Sequence, residues 1–318
     1  MTTLLPVTRA ADLDPGAPDR RWLIDELWAD EAVGIVGGEP KCCKSFLALD
    51  IAVAVAGGVP CLRRFAPAQT GRVLLFAAED ALHVVRRRLA GIAEAGGRKL
   101  AELDIHVITA PSVRLDLERD RDSLAETIAT LRPKLLVLDP FVRLHRIDEN
   151  ASGEVAPLLA YLRELQRRYH LAVLLVHHAR KGGAKMRGGQ ALRGSSEFHA
   201  WGDSNLYLRR HGDQLMLTVE HRAAPSIAAV PLQLEIAGDA VALAVIHHGE
   251  PIAAVAAVSP LTTEQKIEQH LAAAPAPLAI AVLRKLCRTR NATLAAALAA
   301  LVAAGRIRKD AAGYAITR

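Results

Sequence analysis

The sequence predicts an α/β protein whose mostly parallel sheet is covered on both faces, with an antiparallel extension and a small helical module at the C-terminal end. Three observations carry this. Short, wholly apolar runs alternate with helix-like segments up to about residue 180, the pattern changes to extended runs between 213 and 248, and residues 263–318 read as three helices and a hairpin.

The first element is the apolar, β-branched run of residues 33–37, VGIVG, followed by a loop and then by FLALDIAVAVAGG, where apolar spacing and a terminal Gly pair fit a helix. RVLLFAAED at 72–80 reads as the next strand, and ALHVVRRRLAGIAEAGG as a helix closed by Gly96 and Gly97. Further strands are expected at DIHVITA, KLLVLD and LAVLLVHH. Between the last two, GEVAPLLAYLRELQRRY carries one apolar stripe at helical spacing. This β-α-β order implies parallel strands, with ligands expected at their C-terminal ends. DQLMLTVEHR, VPLQLEIAG and AVALAVIHH then read as antiparallel strands extending the sheet. The expected boundaries are a lead-in over 1–30, a core over 31–250, a linker over 251–262 and a module over 263–318.

A chain of 318 residues suits an α/β core with one appendage, and 51% hydrophobic with 23% charged residues excludes disorder as the bulk state. Neither an uncharged apolar run of membrane length nor an apolar leader is found, so the expected location is the cytoplasm, away from membranes. Cys42, Cys43, Cys61 and Cys287 lack paired metal-ligand spacing and are read as thiols. The net charge is +6, and the C-terminal end accounts for it: from residue 258 onward nine Lys or Arg face three acids, a difference of 9 − 3 = +6.

Gly38-Glu39-Pro40-Lys41-Cys42-Cys43-Lys44-Ser45, followed by Phe46, fits the phosphate-loop pattern G-x-x-x-x-G-K-[S/T] except that Cys43 stands at the second glycine. Set between a strand and a helix, successive backbone N–H groups and the helix dipole can cradle phosphate oxygens. Lys44 is then placed for the β and γ phosphates of ATP, and Ser45 offers a hydroxyl to Mg²⁺. Asp139 ends the strand LLVLD, where a carboxylate orients Mg²⁺ and its waters. Glu79 and Asp80 reach the same edge, and Glu79 is the candidate general base. His177 and His178 are adjacent on a strand, so at most one faces the nucleotide. A redox role for Cys42 and Cys43, through a low-pKa thiolate beside Lys44, is the competing reading of the loop. The segment 180–189 is basic and glycine-rich, and Arg180, Lys181, Lys185 and Arg187 are its candidate contacts to a DNA backbone.

Taken in order, WLIDELW, GGEPKCCKSFLALDIA, VLLFAAED, LLVLDPFVRLHRIDEN, LLVHHARKGG and QALRGSSEFHAWGDSNLYL make residues 20–248 resemble the RecA-type family that includes the plasmid replicative helicase RepA and related mobile-element ATPases. The resemblance implies Lys44 and Ser45 for nucleotide and Mg²⁺, Asp139 for the metal, Glu79 as catalytic carboxylate and His178 as phosphate sensor. It also implies a ring or filament, commonly a hexamer, whose neighbouring subunit supplies a basic finger. Here the stretch after Ser196 is acidic at Asp203, and Arg209, Arg210 and Arg222 are the remaining finger candidates. Residues 263–318 resemble a winged helix, with Arg288, Arg290, Arg306, Arg308 and Lys309 lining helix and wing and docking on DNA favoured over a protein contact. The expected activity is a DNA-dependent ATPase, a helicase-like or recombination-type motor. The alternative is a nucleotide-dependent DNA-binding or regulatory module with little turnover.

Overall fold

The computed structural model describes residues 7–12, 22–178, 197–211, 214–237, 240–246, 263–274, 277–287, 291–310 and 313–317. The chain divides into two compact units, Met1–Ile252 and Ala253–Arg318.

The first unit opens with a small hairpin, β1 (Trp22–Ile24) and β2 (Trp28–Ala29), and continues through β3 (Val33–Gly38), α1 (Lys44–Gly57), β4 (Val73–Ala77), α2 (Leu82–Ala95) and β5 (Ile105–Val107). Next come α3 (Glu118–Leu131), β6 (Leu135–Asp139), α4 (Ser152–Tyr169), β7 (Ala172–His178) and a short α5 (Glu197–Trp201). The strands β8 (Ser204–His211), β9 (Gln214–His221), β10 (Val230–Ala237) and β11 (Ala240–Val245) complete it.

One sheet of nine strands runs β11-β10-β9-β8-β3-β7-β6-β4-β5. From β8 to β5 every pairing is parallel, and from β8 to β11 every pairing is antiparallel. Side chains alternate across the parallel strands, so Leu135, Val137, Leu174 and Val176 join the cluster under α1 and α2, whereas Leu136, Leu138, Val173 and Leu175 join the one under α3, α4 and α5. Both faces are therefore dry, which is why these strands are continuous apolar runs. At roughly 1.5–3 kcal/mol for each fully buried Leu, Ile or Val side chain, these two layers supply most of the force that holds the strand ends in place.

The hairpin β1–β2, the short helix α5, the helix α3 and the strand β8 have no counterpart among the expected elements, and two of them reshape the core. The expected run of parallel strands ends at β7, but β8 is a further parallel strand inserted beside β3, with Val36 opposite Leu206 and Gly38 opposite Leu208. Its approach is close: a Cβ on Gly34 would meet the Ser204 carbonyl oxygen at 1.7 Å. The polar helix α3, of which only Leu124 and Ile128 are buried, has no counterpart among the expected elements.

The second unit holds α6 (Thr263–Ala273), α7 (Ile280–Cys287), α8 (Asn291–Ala303) and the hairpin β12 (Ile307–Asp310) to β13 (Gly313–Ile316). Its own core joins Ile267, Leu271, Leu283, Leu294, Leu298, Leu301 and Ile307. Among the described residues no helix is long and apolar enough to cross a membrane. The expected linker over 251–262 lies outside the described residues.

Candidate nucleotide site

Because β3, β4, β6 and β7 are parallel, their C-terminal ends meet on one edge, and a cleft of about 330 Å³ opens there between Lys41–Phe46, Glu79, Asp80, Asp139 and His178. This is at the small end of ligand-site volumes and of a size for a phosphate chain.

The phosphate loop takes its shape although a glycine is missing. Cys43 caps α1 with φ 63° and ψ 25°, the left-handed conformation usually left to glycine, and Lys41 is also left-handed at φ 65°. A side chain in that region costs about 1–2 kcal/mol, a cost the surrounding packing must offset. Gly38 at the loop entrance has no such substitute, since a Cβ there would lie 2.4 Å from the Leu208 carbonyl oxygen.

Within the loop, Lys44 Nζ donates to the Glu39 carbonyl at 2.8 Å, and Cys42 Sγ donates to the same oxygen at 2.8 Å. Lys44 is only 5% exposed. Burial lowers its pKa, opposed by electrostatic interaction with Cys42, Asp139, Glu79 and Cys43. Asp139 is 8% exposed, and its pKa is pushed up to about 6, chiefly by burial and then by Asp80 and Glu79. A hydrogen bond from Ser45 and the charge of Lys44 act against that rise. Two hard oxygen donors, Ser45 and Asp139, thus already stand side by side under a buried ammonium, a donor set that suits Mg²⁺ completed by water and phosphate oxygens.

The acids after β4 are both held by arginines. Asp80 forms an ion pair with Arg88 of α2, whose guanidinium lies 5.1 Å from the centroid of the Phe46 ring. Glu79 accepts from Arg143 Nε at 3.1 Å. Neither arginine was among the expected site residues. Arg88 is one of three consecutive arginines and only the fold selects it, while Arg143 follows Asp139 on the neighbouring strand.

The two histidines separate as strand geometry requires. His178 lines the cleft, whereas His177 is 1% exposed on the opposite face, stacked on Phe198 at 4.3 Å with Phe141 edge-on at 6.2 Å. The thiolate reading of the loop is not met: burial pushes both the Cys42 and Cys43 thiols up, against the pull of Lys44 on each and of Arg210 and Arg88 on Cys43.

That pull places Arg210 of β8 on the side of its own phosphate loop. Arg209, one residue earlier, points to the other face of the strand, its Nη2 buried. Arg222 is engaged far from the cleft, with Asp203 at 3.5 Å and the Ala200 carbonyl. Asp203, acidic where a basic finger was expected, is a structural anchor. It accepts from the Val33 N–H at 3.3 Å and pairs with Arg163, tying α4 to the starts of β3 and β8, at the sheet edge opposite the cleft.

In the second unit Arg306 pairs with Glu268 at 2.6 Å, Lys309 Nζ lies 5.8 Å from the Tyr314 ring centroid, and Arg308 is exposed. Arg180, Lys181, Lys185, Arg187, Arg288 and Arg290 lie outside the described residues.

A family model described as an AAA domain matches residues 2–184, more than half of the chain. Among solved structures, the "ATPase Domain of G40P" superposes with a TM-score of 0.51 at 13% identity, over 64% of this chain and 82% of that one. A "DnaB-Like Replicative Helicase", solved with "Its Interactions With Primase", gives 0.51 at 13% identity over 64% of this chain and 55% of its own. The "RadB recombinase" gives 0.49 at 18% identity over 67% of this chain and 91% of that chain. At these identities the first two matches establish a shared fold.

Proposed function

Because this chain belongs to the AAA-domain family and carries the RecA-like P-loop ATPase fold, we propose that it is a DNA-dependent ATPase, a RepA-like helicase or recombination-type motor. The observation that carries this reading is the convergence of Lys44, Ser45, Glu79, Asp139 and His178, from four strand ends, on one cleft. In this reading the loop N–H groups and Lys44 take the β and γ phosphates, Lys44 leaving the Glu39 carbonyl as it does so. Ser45 and Asp139 would hold Mg²⁺, which would supply charge neutralisation to the phosphates. Glu79 orients a water toward the γ phosphate, and His178 donates an imidazole N–H to a phosphate oxygen.

The likeness to helicase domains supports DNA as partner, with Arg180, Lys181, Lys185 and Arg187 contacting backbone phosphate. The three helices and hairpin of the second unit support a winged-helix-like module that docks on DNA through Arg288, Arg290, Arg306, Arg308 and Lys309. A hexamer in the cytoplasm is the assembly we infer, with a basic finger supplied to each site by the neighbouring subunit.

A second reading, a nucleotide-gated DNA-binding or regulatory module with little turnover, is favoured by one observation: a side chain occupies the left-handed loop position at Cys43. Phosphate release measured with and without single-stranded DNA at low salt, for wild type and Lys44→Ala, separates the two. DNA-stimulated release abolished by Lys44→Ala supports the motor. Slow, DNA-indifferent release despite ATP binding supports the module and refutes the motor.

A further inference from the structure

We propose that Lys41 is a catalytic residue, a second cation of the phosphate loop whose ammonium meets the terminal phosphate of the nucleotide bound by its own chain. The inference rests on the ATPase reading above and adds a group that the loop pattern G-x-x-x-x-G-K-[S/T] does not require.

Lys41 and Lys44 lie three residues apart on one loop and both line the cleft. Their surroundings differ. Lys44 is buried and donates to the Glu39 carbonyl. Lys41 is exposed, and among the described residues its side chain joins no ion pair and no hydrogen bond. The arginines nearest the acids, Arg88 and Arg143, already face Asp80 and Glu79. Three carboxyl groups, Glu79, Asp80 and Asp139, thus share the cleft with the incoming phosphates, and Lys41 is the lysine there with its ammonium uncommitted.

The backbone singles out the same residue. Lys41 is left-handed at φ 65°, where glycine is at ease and a side chain costs about 1–2 kcal/mol. Strain of this kind gathers at ligand clamps, where the side chain that it carries is the reason for it. Loop N–H groups surround the inner phosphates, so the terminal phosphate keeps oxygens open on the solvent side. A lysine delivers a compact charge on a flexible four-carbon stem, which suits a group that swings in from solvent after the nucleotide binds.

In the reaction, water oxygen bonds to the γ phosphorus as the bond from that phosphorus to the β,γ-bridging oxygen breaks, and the bonding pair stays on ADP. The water proton leaves through Glu79 to phosphate or solvent. Lys41 neither gives nor takes a proton. It offsets the negative charge on the terminal oxygens during transfer.

The test measures ATP turnover, with and without single-stranded DNA, and binding of ADP and of a non-hydrolysable ATP analogue, for wild type, Lys41→Gln, Lys41→Arg, Lys41→Gly and Arg86→Gln. Arg86 is an exposed arginine of α2, and its substitution removes equal charge away from the loop. Lys41→Gln is expected to lower kcat about tenfold to hundredfold, less than the loss of a fully enclosed donor. It should weaken the analogue about threefold or more beyond any change in ADP, because a screened field acts on both nucleotides alike and a contact to the terminal phosphate does not. Lys41→Arg keeps most of the turnover, and Arg86→Gln keeps all of it. Lys41→Gly is as slow as Lys41→Gln although its melting temperature stays near the wild-type value. Mixing Lys41→Gln with Lys44→Ala gives no more turnover than the two proteins apart.

An unchanged kcat in Lys41→Gln, or equal losses of ADP and analogue binding, overturns the proposal and leaves the ATPase reading intact. Turnover regained on mixing overturns it in favour of a lysine that serves the neighbour's nucleotide. Weakened single-stranded DNA binding in Lys41→Gln with DNA-free turnover kept overturns it in favour of a nucleic-acid contact. A wild type that releases no phosphate under any condition overturns both readings.

Discussion

Replacing Asp139 by Asn should stabilise the protein when nucleotide and Mg²⁺ are absent, and the size of the gain follows from its surroundings. The carboxyl is 8% exposed and its pKa rises from 3.8 to about 6, mainly through burial. A rise of about two units corresponds to about 3 kcal/mol of penalty on the ionised form. The folded pKa lies above the unfolded one, so the folded state holds the proton more tightly and stability is lost as pH rises from about 4 to about 6. At pH 8 the full penalty is present. Asn keeps an oxygen that can accept the Ser45 hydroxyl and carries no charge to bury, so the variant escapes it. Thermal unfolding of both proteins at pH 8 should place Asp139→Asn about 5 to 10 °C above wild type, and at pH 4 the two should nearly coincide. MgATP at pH 8 should reverse the order, because only wild type offers Mg²⁺ an anionic ligand. A variant less stable than wild type at pH 8, or a difference that does not change with pH, refutes the reasoning.

Other substitutions test the remaining contacts. Cys43→Gly removes a left-handed side chain that costs about 1–2 kcal/mol but adds backbone freedom to the unfolded chain, so stability should stay within about 1 kcal/mol while ATP binding tightens in a titration; weaker ATP binding would show that the thiol itself helps hold phosphate. Gly34→Ala drives a methyl into the Ser204 carbonyl and should cost about 3 kcal/mol or more in urea unfolding, against a negligible change if β8 can move aside. His177→Ala and His178→Ala should part company: loss of the stacked, buried His177 should lower thermal stability with ATP affinity preserved, whereas loss of His178 should leave the melting temperature and reduce turnover. An equal thermal loss in both would contradict their placement on opposite faces.

The parts of the site that lie on strand ends were legible from sequence because parallel topology does the assembling. Once VGIVG, VLLFA, LLVLD and AVLLVHH are read as parallel strands, Lys44, Glu79, Asp139 and one of the two histidines must share an edge, and alternation along β7 selects His178. What sequence left hidden has a common physical cause. β8 was not among the expected strands, because it begins Ser-Asn and ends Arg-Arg-His, and its place between β3 and β9 is what buries Leu206 and Leu208. α3 turns a mostly polar surface to solvent and has too few buried positions to show a stripe.

Asp203 shows the same limit at a functional reading. It was read as acidic where a basic finger was expected, yet its partners, Val33 of β3, Arg163 of α4 and Arg222 just after β9, give it work at the ends of the strands opposite the cleft. Arg143 and Arg88 were missed for a related reason, since an arginine's significance lies in the carboxylate it meets, and Arg143 meets one 64 positions away. Residues whose function depends on where a strand ends can be found by pattern. Those whose function depends on another side chain require the fold.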